Sequence, residues 1–86
     1  MQLQNIAPEL KEFLYQQIHV HKVGSIDTLL VEGYMFDEQE IRQALDIFMR
    51  NELIIPTAST IQIGHKKVDF MRNDEKFMVL KENDQL

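Results

Sequence analysis

Eighty-six residues carrying nine lysines and arginines against fourteen aspartates and glutamates, a net charge of −5, make one small acidic domain. A chain of this length buries roughly 60–65% of its unfolded surface, which allows a single core. The absence of cysteine excludes disulfides, thiolate metal sites and cysteine nucleophiles.

Hydrophobic content of 44% suits a folded domain, and no repeat or low-complexity tract is present. No apolar run reaches membrane-spanning length, and the start lacks the basic-then-apolar order of a secretory signal, so a cytoplasmic location is expected. There is no glycine-rich phosphate loop and no recognisable nucleophile motif. Neither catalysis nor a cofactor is therefore expected.

The first helix is expected at about 6–21. Pro8 suits only a first turn, Glu9 and Glu12 favour the positive helix start, and Ile6, Leu10, Phe13, Leu14 and Ile18 keep the helical period. His19 and His21, two residues apart, diverge by about 200° around a helix, unlike a one-face zinc pair. No metal site is expected. Val23-Gly24-Ser25 interrupts the chain, Ser25 caps a second helix at 25–33, and Gly33 ends it. Tyr34-Met35-Phe36 is the turn that follows.

The third helix, 37–50, has two start signals. Asp37 and Glu40 have the spacing of a reciprocal capping box, and Phe36 with Ile41 that of a hydrophobic staple. Ile41, Ala44, Leu45, Phe48 and Met49 form its apolar stripe, while Glu38, Gln39, Arg42, Gln43, Asp46 and Arg50 form the polar face. Asn51, tolerant of the left-handed conformation, is the expected C-cap. Leu53-Ile54-Ile55-Pro56 reads as a short strand.

Residues 59–71 read as a hairpin. Ile61 and Ile63 alternate with polar residues, Val68 and Phe70 do likewise, and Gly64-His65 fits the two-residue turn, so that Ile61 faces Val68. Lys66 and Lys67 make its tip basic. In the tail, 73–86, Phe77-Met78-Val79-Leu80 fits a third strand turned at Asn73-Asp74. The strand is the favoured reading, a short helix capped by Asn73 or Asp74 is the alternative, and Lys81 to Leu86 are expected to fray.

Gly24-Ser25-Ile26-Asp27 with Leu29-Leu30, then Asp37-x-x-Glu40-Ile41 with Ala44-Leu45, then Arg50-Asn51-Glu52-Leu53-Ile54, resembles the winged helix-turn-helix superfamily over residues 6 to about 72. The resemblance implies an α+β winged helix in a single domain, 1–86: three helices and a two- or three-stranded wing. The expected core is Leu10, Phe13, Leu14, Ile26, Leu29, Leu30, Ile41, Leu45, Phe48, Leu53, Ile61, Val68 and Phe70.

Carried over from the family, base reading would fall to Gln39, Arg42 and Gln43 with Arg50 on a phosphate, and the wing contacts to His65, Lys66 and Lys67. Lys22 is a further phosphate candidate. The partner would be duplex DNA and the protein a homodimeric transcriptional regulator. From the residues themselves, Met71, Met78 and Leu80 lack an obvious intrachain home, which suits an apolar dimer surface. Arginine and glutamine suit two-point contacts to base edges. Asp37, Glu38 and Glu40, however, load the helix start with acid where such helices enter the groove. The alternative is an acidic winged helix acting as a protein-interaction module, or as a small inhibitor or adaptor, on a protein partner.

Overall fold

A computed structural model gives the fold of residues 2–63 and 66–86, with side chains described outside 58–67. The chain is α+β, with helices packed against one two-stranded antiparallel sheet. A single 3₁₀ turn, Leu3–Asn5, precedes α1, Pro8–Tyr15. The helix expected at about 6–21 therefore begins at Pro8, which stands in its first turn as expected, and runs on to Val20. Ile6 and Ala7 are extended, because Pro8 has no N–H to place inside a helix and disfavours the α conformation before it. From Gln16 the helix widens into a π turn, Gln16–Val20, which ends with Lys22 in the left-handed region at φ 62°.

The second and third helices follow the sequence closely. In α2, Ile26–Glu32, the Ser25 hydroxyl accepts from the Thr28 amide and Gly33 stands at the C-cap. Gly33 is required by close packing and not by a positive φ. A Cβ there would lie 2.8 Å from the Leu29 carbonyl oxygen and 3.0 Å from both Ile41 and Phe13. In α3, Glu38–Arg50, Asp37 accepts from the Gln39 amide at 2.7 Å, with no reciprocal bond from Glu40 among the described contacts. Asp37 therefore caps the helix through its second residue, and neither bond of the expected box to Glu40 is among the described contacts. Phe36 packs on Phe13 with ring centroids 5.3 Å apart.

Asn51 stands at the C-cap of α3, as expected, but the left-handed conformation falls on the next residue. Asn51 stays at φ −96° and donates its side-chain amide to Ile47, while Glu52 takes the left-handed conformation at φ 61°. Leu53 N–H then bonds to Phe48 O and Glu52 N–H to Met49 O, the two bonds of a Schellman ending.

The strand read at Leu53–Pro56 and the first arm of the hairpin are one strand, β1, Ile54–Ile63, paired with β2, Lys66–Arg72. Ile61 stands opposite Val68, as the hairpin register predicts. Pro56 pairs with Phe70 inside the strand, and the register then slips, residues 57–60 standing against Asp69 alone. The turn expected at Gly64-His65 lies outside the described residues. The Asp69 amide donates to Gly24 O at 2.7 Å, and its carboxylate accepts from the Ile26 amide at 2.8 Å, so β2 holds the start of α2.

The favoured third strand is not formed. Asp74–Glu82 is a helix, α4, whose Asn73 side chain accepts from the Lys76 amide. The register decides it: Phe77 and Leu80, three apart, are buried, while Met78 and Val79 face out. A strand would have put Phe77 and Val79 on the same side. Leu80, expected to lack an intrachain home, is thus in the core. Nor does the tail fray as expected, because Asp84 turns left-handed, Gln85 N–H bonds to Leu80 O, and Leu86 packs on the core.

The core runs from Leu10, Leu14 and Ile18 through Leu29, Ile41, Leu45, Phe48 and Leu53 to Ile54, Phe70 and Phe77. Of the other expected core residues, Phe13, Ile26 and Leu30 are half-buried against this cluster, Val68 is half-buried, and the side chain of Ile61 lies outside the described residues. Ile47 is buried off the main stripe, on the flank of α3 covered by the 3₁₀ turn and Ile6. Among the described residues no helix is long and apolar enough to cross a membrane.

Candidate interaction surface

Helix α3 turns Gln39, Arg42, Gln43 and Arg50 to solvent on one side, as the sequence predicts. Both arginines are already engaged by an acid one turn earlier: Arg42 Nε lies 3.4 Å from Glu38 and Arg50 Nε 3.0 Å from Asp46. Exposed pairs at this spacing are worth only about 0.3–0.5 kcal/mol, so a phosphate could displace either acid. It could not remove the charge. With two acids beside two bases, the face offers duplex DNA no net attraction.

Along one flank Gln43, Glu40, Ile47, Ile6 and Leu10 border an open groove of about 250 Å³. Of the expected wing residues, His65 lies outside the described residues, as do the side chains of Lys66 and Lys67, whose backbone begins β2.

Lys22, the other phosphate candidate, faces a carboxylate instead. Asp74 at the start of α4 receives His19 Nδ1 at 2.9 Å, Arg72 Nε at 3.1 Å and Lys22 Nζ at 3.8 Å. Partial burial pushes the Asp74 carboxyl up, but the hydrogen bond with His19 and the charges of Arg72, Lys22 and His19 outweigh it and hold the group below its ordinary value. The His19 ring stacks on Phe77 at 5.3 Å, Tyr15 and Phe48 close round the same ring, and Lys81 Nζ sits 4.5 Å over Tyr15. This cluster is internally satisfied and joins α1 to α4. Among the described residues no group of three or more His, Cys, Asp or Glu is arranged to hold a metal.

The opposite situation holds at the corner between α2 and α3. Tyr34 is 83% exposed, Val31 71% and Met35 60%, the three most exposed large hydrophobic side chains among the described residues, all within five positions. Sequence reasoning placed the turn here but gave these side chains no role. The available signal was compositional. From Val23 to Ile41 the chain carries five acids, Asp27, Glu32, Asp37, Glu38 and Glu40, and no lysine, arginine or histidine. Each of these acids is exposed.

No family model, curated protein or solved structure matches this chain. The reading of the surface therefore rests on its own chemistry. Aromatic and methionine side chains at a surface, bordered by polar residues, have the make-up of a protein-contact patch. Met71 and Met78, expected at a dimer surface, are also exposed, as are Ile55, opposite Met71 across the sheet, and Val79.

Proposed function

We propose that this chain is a winged helix-turn-helix domain that works as a protein-docking module, with the α2–α3 corner as its contact surface. The order of two short-linked helices followed by a hairpin, with β2 bonded back to the start of α2, supports the winged-helix reading. The observation that carries the docking reading is the exposure of Val31, Tyr34 and Met35 inside a stretch whose charges are all acidic. Leaving such side chains in water gains nothing for this fold, whereas burying them against a partner contributes about 25 cal/mol per Å² of apolar surface. The module is not an enzyme and acts in the cytoplasm.

A DNA-binding regulator, acting as a homodimer, is the second reading. It is favoured by the alignment of Gln39, Arg42, Gln43 and Arg50 on one exposed face of α3. Titrating a labelled mixed-sequence duplex at falling salt, with the parent and with an Arg42→Ala, Arg50→Ala variant, separates the two. Docking predicts no salt-sensitive binding that depends on these arginines. Binding that weakens steeply with salt, and less steeply in the variant, would replace docking by the DNA reading.

A further inference from the structure

We infer that the partner segment received by the α2–α3 corner pairs an apolar face with flanking lysines and arginines. This inference rests on the protein-docking reading and names the chemistry of the partner. Two observations define it. The centre of the corner is apolar and projects from the surface, with Tyr34, Met35 and Val31 as its most exposed side chains. Its surroundings are anionic: Glu32 in α2, and Asp37, Glu38 and Glu40 at the start of α3, are exposed.

Arg42, the nearest cation along the chain, is bound to Glu38, and Arg50 lies two further turns along α3 against Asp46. The corner therefore combines a hydrophobic anchor with a rim that is acidic in excess, Glu32, Asp37 and Glu40 standing beside the Glu38–Arg42 pair, and complementarity favours cations around an apolar surface.

The same charge excludes the other occupants. Phosphate backbones and anionic lipid headgroups are repelled by the exposed acids Glu32, Asp37 and Glu40, beside which Arg42 is already paired with Glu38. A second copy of this chain, docked corner to corner about a twofold axis, would set those acids against their own images. A basic, amphipathic protein segment meets neither obstacle.

The test is an amide chemical-shift titration of the full isotope-labelled chain with two designed peptides of identical leucine spacing, one lysine–leucine and one glutamate–leucine. The inference predicts that the lysine–leucine peptide moves amides between residues 27 and 40, more weakly as salt rises, and that the glutamate–leucine peptide does not. Tyr34→Ser weakens the binding by about tenfold or more, as an aromatic anchor does. Because Tyr34 is so exposed, this variant melts like the parent. A Glu32→Gln, Glu38→Gln variant weakens binding less and flattens its salt dependence.

Equal binding of both peptides at the corner would overturn the basic partner and leave docking intact. Shifts centred on Glu75 and Glu82 of α4, no shift at all, or indifference to Tyr34→Ser would overturn the corner as the site. Shifts along α3 produced only by duplex DNA would overturn the docking reading itself.

Discussion

The seam between α1 and α4 and the corner between α2 and α3 are made of similar residues and end in opposite states. At the seam an aromatic side chain, Phe77, is fully buried among Tyr15, His19 and Phe48, and a helix-start acid, Asp74, is held by three side chains. At the corner an aromatic side chain, Tyr34, is almost wholly in water, and helix-start acids border it with no base in the same stretch. Residue type therefore does not separate scaffold from surface in this chain. What separates them is whether the fold covers the aromatic side chain. The seam is finished by its own chain, whereas Val31, Tyr34 and Met35 at the corner stay in water, and it is this exposure that the docking proposal explains.

The contrast is broken most severely at Phe77. Phe77→Ala should cost about 3–5 kcal/mol in urea melts, by cavity formation beneath three rings. A loss below about 1 kcal/mol would mean that α4 is not docked as described. Next comes Gly33→Ala, which forces a methyl to within 2.8 Å of the Leu29 carbonyl oxygen and should cost about 1–3 kcal/mol by the same measurement.

Asp74 sharpens the comparison through pH. A carboxyl whose folded pKa is depressed adds stability above its unfolded value, and that stability is lost as the pH falls through the folded one. Thermal melts should therefore show a steeper acid limb below about 3.8, the ordinary value, in the parent than in Asp74→Asn. Much of the Asp74 side chain is in water, so the difference is small.

Smaller still is Glu52→Gly. It relieves a left-handed non-glycine residue and should raise stability by about 0.5 kcal/mol after the added freedom of the unfolded chain is subtracted. Tyr34→Ser comes last, within about 0.5 kcal/mol of the parent.

How much of this was legible in the sequence follows the reach of each interaction. Local signals were read correctly where neighbours in the chain decide the outcome. Ser25 and Asp37 cap α2 and α3, Gly33 closes α2, and the alternation in the hairpin fixed Ile61 opposite Val68. Phe77-Met78-Val79-Leu80 fits either period over four residues, and the choice was made by Phe48, Tyr15 and His19, far away in sequence. Ile47 was missed for the same reason, since Ile6 and the turn at Leu3–Asn5 cover a flank that the helical stripe leaves open.

Of the proposed site, the turn was legible but its exposure was not. The polar face of Gln39, Arg42, Gln43 and Arg50 was legible as exposed, while the acids that engage Arg42 and Arg50 were legible only as charges that cancel.

The central claim, that the corner serves a partner and not the fold, is tested most directly by a Tyr34→Ser, Met35→Ser variant carried through urea unfolding and lysine–leucine peptide titration on the same samples. The account predicts an unfolding midpoint close to that of the parent, together with at least about tenfold weaker peptide binding. Binding unchanged from the parent, or a midpoint that falls in step with the lost binding, would contradict it.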